Sequence, residues 1–189
     1  FPHGQKSTGS LQMAMFAVLF TPIELETTMI IRIAMPADRP QIEAILREAF
    51  PGPEEADLVT RLYDDGDVVI SLVAVVGAEV CGTIVFSPMS APFKALGLAP
   101  VAVRPDYQRQ GIASALIHEG IELARVEGWD GIFVLGDPDF YQRFGFLAET
   151  AAPFENPYAG PYLMAMSLLE GELPVLSGKV DYSKAFAAL

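Results

Sequence analysis

The stretch Val101–Ala115, reading VAVRPDYQRQGIASA, passes from an apolar run through a polar turn into a helical pattern at Gln108-Arg109-Gln110-Gly111-Ile112-Ala113-Ser114. Such a turn suits a phosphate. The N–H groups of a first helical turn have no partner inside the helix, the helix dipole adds partial positive charge, and a glycine lets a pyrophosphate reach the backbone. Ala113 and Ser114 are small enough to keep that approach open. The Gly-Lys-Ser/Thr of a nucleotide-hydrolase loop does not follow, and the three spaced glycines of a dinucleotide fingerprint are missing. Taken alone, these residues also fit an ordinary strand-to-helix turn.

Other reactive residue types are sparse. The single cysteine, Cys81, precludes a disulfide framework, and with only His3 and His118 as histidines no metal site is expected. His118 falls on a polar helical stripe with Ser114, Glu122 and Arg125, Cys81 sits in a strand pattern as a packed thiol, and Trp129 reads as packing after Gly128. Glu54 and Glu55, between the first two helices, either face an acceptor site or serve as helix-start charge, and Asp64, Asp65 and Asp67 read as a solvated loop. Among 189 residues, 12 Lys+Arg stand against 24 Asp+Glu, a net charge of −12 that repels a polyanion, so no nucleic-acid partner is expected. With 51% hydrophobic and 19% charged residues the chain has apolar side chain enough for one folded domain. No apolar run reaches the roughly 18 residues that span a bilayer. The longest is Met13–Phe20, so no membrane partner and a cytoplasmic location are expected.

The elements that would position the loop follow from periodicity. Residues 1–28 read as an N-terminal extension or a remnant foreign to the fold; Lys6 and Met13–Phe20 resemble a signal peptide only faintly, because no small-residue cleavage site precedes Glu24 and Glu26. From Met29, Ile30–Ile33 is a short strand and Asp38 a helix cap. Ile42, Ile45, Leu46 and Ala49 share a helical face, and after Pro51-Gly52-Pro53 a second helix over Glu54–Tyr63 turns Leu58, Val59 and Leu62 inward. Val68–Val76 and Glu79–Phe86 form a hairpin about Gly77-Ala78, and Leu96–Val103 is a further strand interrupted by Pro100. A helix over Gly111–Glu127, a strand at Ile132–Leu135, a helix of two turns capped by Asp137-Pro138 and a last strand at Tyr162–Leu169 complete the domain.

Gln108-x-x-Gly111-x-Ala113 after a strand and Pro105, followed later by Phe140-Tyr141-Gln142-Arg143-Phe144-Gly145-Phe146, resembles the GCN5-related N-acetyltransferase (GNAT) superfamily. The element order from Ile30 to Leu169 is similar to that family's βααβββαβαβ pattern. LGDPDFYQRFGF together with SGKVDYSKAF resembles a bacterial, YhbS-like group of acetyltransferases with unassigned substrates. The resemblance implies a single α/β GNAT-like domain over residues 29–169, with a mixed central sheet of six to seven strands flanked by helices and splayed at an acyl-CoA site. Residues 170–189 form a tail that either packs back or reaches a partner.

The resemblance further implies acetyl-CoA as co-substrate. Backbone groups of Val101, Ala102 and Val103 would pair with the pantetheine arm, which physics permits because Pro100 has no N–H for a neighbouring strand. The pyrophosphate would lie on the turn from Gln108 through Arg109, Gln110, Gly111, Ile112, Ala113 and Ser114, with the Arg109 guanidinium as an added contact. Tyr141 matches the tyrosine that protonates the departing thiolate, a role open to a phenol that stays protonated at neutral pH. The asparagine that many members place before this helix is replaced by Gly136-Asp137-Pro138. The expected function is therefore N-acetyl transfer by direct attack of a small-molecule or peptide amine, with a homodimer among the expected assemblies and a cationic acceptor favoured by the acidic chain. A non-catalytic acyl-CoA sensor or interaction domain is the alternative. Transfer from an aminoacyl-tRNA is a third, disfavoured by the negative charge.

Overall fold

The computed structural model describes residues 28–188, so the stretch 1–28 read as an N-terminal extension or a remnant foreign to the fold lies, but for Thr28, outside the described residues. Strand β1 (Met29–Ile33) leads through a 3-10 turn at Pro36–Asp38 into α1 (Arg39–Ala49). Asp38 does not cap α1 forward as its position suggested. Its carboxylate turns back and accepts from the Met35 N–H at 2.7 Å and from two Arg32 guanidinium nitrogens at 2.6 and 2.9 Å. This pins the end of β1 to the start of α1, with Asp38 buried.

Hydrogen bonds from Arg32 hold the Asp38 carboxyl below the usual carboxylate range, against the opposing effect of burial. A carboxylate whose pKa is depressed by folding adds stability above its unfolded value, near 3.9, and loses it as pH falls through the folded value. Asp38→Ala is thus expected to lower the unfolding free energy by about 2 kcal/mol at pH 7, the scale of charged hydrogen bonds. In urea titrations the gap to wild type should narrow at pH 3; equal stability at pH 7 would contradict the assignment.

Pro51, Gly52 and Pro53 end the first helix, and α2 (Glu54–Asp65) restarts with Leu58, Val59 and Leu62 buried. The antiparallel strands β2 (Ile70–Val76), β3 (Glu79–Pro88) and β4 (Ala95–Val103) follow, then α3 (Ile112–Val126) and β5 (Gly131–Leu135). α4 (Pro138–Tyr141) is a single turn continued as 3-10 helix over Gln142–Phe144, shorter in true α-helix than the two turns expected. α5 (Ala148–Ala151), β6 (Phe154–Glu155), β7 (Leu163–Ser167) and β8 (Gly178–Lys179) complete the order. The main sheet runs β1-β2-β3-β4-β5-β7, six strands, and β6 with β8 forms a small second sheet that periodicity did not reveal.

Alternation along the strands gives the sheet two packed faces. Val73, Val75, Val80 and Val85 pack against α1 and α2, while Leu72, Ala74, Ile84 and Phe86 pack against α3. β4 and β5 are parallel and paired only from Ala95↔Gly131 to Leu98↔Val134, yet β4 stays paired with β3 out to Val103. Beyond Leu98 the two strands part. Residues 178–188 return across the domain as a strap: β8 pairs with β6, Ser90 bridges Asp181, the Ser183 hydroxyl bonds the Asp67 carboxylate at 2.5 Å, and Arg61 donates to the Ala185 carbonyl at 3.3 Å. Lys184 lies 3.5 Å from Asp65, so two of the acidic residues read as solvated loop are anchors for the strap. Among the described residues no helix is long and apolar enough to cross a membrane.

Candidate active site

The parting of β4 from β5 opens two clefts along the same strand edge. The first, about 400 Å³, has Ala99, Pro100 and Val101 on one wall and Leu135 and Tyr141 on the other. Pro100 offers no N–H, and with Ala99 it bulges β4 by one residue opposite Val85 of β3, so the edge facing β5 is left open. The second cleft, about 420 Å³, lies farther along at Val103 and is lined by Gln108, Arg109, Gly111, Ile112, Ala113 and Ser114, with Phe140 and Arg143 opposite.

The turn around this second cleft is held from below. Gln108 Nε2 donates to the Val103 carbonyl at 3.1 Å, the Tyr107 hydroxyl donates to Glu79 at 3.1 Å, and Arg104 pairs with both Glu79 and Glu48. Arg109 is left-handed at φ 61° and Gly111 at φ 82°, a sequence of conformations that turns successive N–H groups toward one side. The first bond of the following helix is from Ala115 to Gly111, and the N–H groups of Arg109 through Ser114 have no acceptor among the described residues. A Cβ at Gly111 would have nothing within 4 Å among the described residues, so the turn is open at this position. These groups fit a pyrophosphate. Ala102 and Gln110 line neither cleft: Ala102 is buried against α1 and α2, and Gln110 bonds back to the Asp106 carbonyl at 3.1 Å. Arg143, given no role from sequence, stacks on Phe140 at 4.4 Å and joins Arg109 as the second cation at this cleft.

Tyr141 is placed by a short, well-capped helix. Asp137 accepts from the Asp139 N–H at 3.0 Å and Pro138 supplies the first helical φ. The ring meets Phe140 and Phe146 edge-on at 5.0 and 5.9 Å, and it lies over Gly136, where a Cβ would sit 2.4 Å from it. The departure from asparagine at this point thus makes room for the ring. Tyr141 is 9% exposed, and its hydroxyl makes no hydrogen bond among the described residues. Burial pushes its pKa up to about 12.

The remaining candidates separate cleanly. Glu55 lines the first cleft, whereas Glu54 folds over Gly52. His118 is exposed and touches the edge of Phe144 at 5.1 Å, Cys81 is buried with its sulfur 3.3 Å from the Ala74 carbonyl, and Trp129 packs under Lys94 at 5.4 Å. The aromatic residues Phe50, Tyr158, Tyr182 and Phe186 of the first cleft were not legible as such. Tyr158 lies in the connection before β7 and Tyr182 and Phe186 in the SGKVDYSKAF segment, whose sequences carry no local signal of where they fold.

This architecture has close counterparts. The profile of the Acetyltransferase (GNAT) family matches residues 39–146. The chain is 36% identical over 166 residues to the uncharacterized N-acetyltransferase YhbS of Escherichia coli strain K12, covering 84% of this chain and 98% of that protein. The crystal structure of E. coli YhbS in complex with CoA superposes with a TM-score of 0.80 at 33% identity, covering 84% of this chain and 92% of that one. A GNAT acetyltransferase from Brucella melitensis in complex with acetyl-CoA gives 0.72 at 31% identity, over 85% and 99% of the two chains. With the sheet order, the open β4 edge and the unpartnered turn already in place, these matches establish that the chain belongs to the GNAT family of acetyltransferases.

Proposed function

We propose that the protein moves an acetyl group from acetyl-CoA to the amine of an acceptor by direct attack. One observation carries the reading: the open edge of β4 runs from the N–H groups of the 109–114 turn at one end to the buried phenol of Tyr141 at the other, both without a hydrogen-bond partner among the described residues. The turn and Arg109 hold the pyrophosphate, and backbone groups of Val101 to Val103 hold the amide-bearing arm as an added strand. Ala102 contributes through its backbone alone, since its side chain faces the helices. Gln108 and Gln110 shape the turn through their bonds to Val103 and Asp106.

In the transfer, the nitrogen of a neutral amine bonds to the thioester carbonyl carbon while the C–S bond breaks. The proton shed by nitrogen passes to the Tyr141 oxygen as the Tyr141 proton passes to sulfur, so the phenol ends as it began. This relay is needed because outright donation from a phenol at about 12 to a thiolate whose conjugate acid lies near 8.5 is uphill. Holding amine and thioester in line supplies the larger part of the acceleration, of order 7–11 kcal/mol.

Because burial pushes the Tyr141 pKa up to about 12, kcat/KM should rise with pH as the acceptor amine loses its proton and then stay level to about pH 10. A falling limb centred at pH 8–9 would contradict the assignment. The function itself is tested with acetyl-CoA and a panel of cationic and anionic amines, reading free thiol and acetylated amine in equal amounts. Binding of CoA with no turnover across the panel would favour the sensor reading instead.

A further inference from the structure

The first cleft has a third wall, and it comes from outside the segment that the family profile covers. Tyr158 and the strap residues Tyr182 and Phe186 face the open β4 edge across from Tyr141, and Phe50 and Glu55 close the side toward α2. Tyr182 stacks edge-on to Tyr158 at 6.1 Å and lies against Phe186 at 4.7 Å. Its ring rests on Gly97, where a Cβ would be 2.6 Å away, so a side chain at that position of β4 would expel it.

Two features of this wall point to a ligand. The Tyr182 hydroxyl is buried with no hydrogen-bond partner among the described residues, whereas a buried phenol ordinarily has one. Burial, with the Tyr158 and Tyr141 hydroxyls close by, pushes its pKa up, so it remains a neutral donor and acceptor. Among the described residues that line the cleft, Glu55 alone is formally charged, and it is set among aromatic rings whose faces attract cations. A carboxylate on the ligand would meet Glu55 and a cage of electron-rich faces. An ammonium on an apolar body would meet partners for both its parts.

We propose that this cleft selects a small primary amine carried as an ammonium on an apolar, carboxylate-free body, with the Glu55 carboxylate and the Tyr182 hydroxyl as its polar partners and the strap as the selecting wall. The proposal rests on the acetyl-transfer reading above. The ammonium gives a proton to solvent before attack, and the relay through Tyr141 then proceeds as described.

The test uses the full chain with saturating acetyl-CoA and three probes: phenethylamine, phenylalanine and spermidine. Phenethylamine is expected to have a kcat/KM at least about tenfold above the other two, since one supplies a repelled carboxylate and the other lacks the apolar body. Tyr182→Phe keeps the ring on Gly97 and removes only the oxygen, and Glu55→Gln keeps the shape and removes the charge. Each should raise KM for phenethylamine about five- to tenfold, with KM for acetyl-CoA and the far-UV spectrum unchanged. Turnover that favours phenylalanine or spermidine, or variants that leave the amine KM unmoved, would overturn this inference while leaving acetyl transfer intact. Failure of the wild-type protein to bind acetyl-CoA would overturn both.

Discussion

Tyr141→Phe is expected to lower kcat by about 100-fold or more, the scale of general acid–base catalysis, with the Kd for CoA held within about twofold. The substitution removes one oxygen and nothing else. The ring keeps its edge contacts with Phe140 and Phe146 and its seat over Gly136. Because the hydroxyl has no hydrogen-bond partner among the described residues, its loss leaves no orphaned donor or acceptor, and stability should be unchanged or slightly raised. Thiol release measured beside calorimetric binding separates the outcomes. A tyrosine that served only as packing would leave kcat where it was.

Gly111→Val should weaken CoA binding by about 100-fold. At φ 82° a β-branched side chain is strongly disfavoured, so the turn would have to refold and carry the N–H groups of Arg109 to Ser114 out of line. A Cβ here would have nothing within 4 Å among the described residues, so the strain lies in the backbone conformation and not in a clash at Cβ. Arg109→Gly is the control. Glycine adopts φ 61° without strain and keeps the N–H groups, so binding should fall only by the guanidinium contribution, about three- to tenfold. Equal losses from the two variants would mean that side-chain charge, and not backbone geometry, governs the site.

The order of the main elements was readable because each is encoded locally. Ile42, Ile45 and Leu46 repeat at helical spacing, Val73 and Val75 alternate with Leu72 and Ala74, and proline and glycine mark the breaks at Pro51-Gly52-Pro53 and Gly77. The turn at Gly111 and the helix bearing Tyr141 were readable for the same reason, since their caps and glycines lie within a few residues of the groups they position. What escaped depends on contacts distant in sequence. Tyr182 reaches the site because Gly97 leaves it room and because Asp67, Ser90 and Glu155 hold the strap. Asp65 and Asp67 look like solvent-facing charge until their partners arrive from residues 183 and 184. Two-residue strands such as β6 and β8 are too short for any period to register. Asp38, correctly placed at the start of the first helix, bonds backward because Arg32 offers two charged donors against the single N–H of a forward cap.

The central claim is that one turn holds the pyrophosphate of an acyl-CoA at the end of an open β4 edge. Isothermal titration of the full chain with acetyl-CoA, CoA and an adenosine fragment lacking the pyrophosphate tests it directly. The account predicts saturable one-to-one binding of acetyl-CoA and CoA, with the fragment at least about 100-fold weaker, or roughly 2.7 kcal/mol. Equal affinity for the fragment, or no binding of acetyl-CoA, would contradict it.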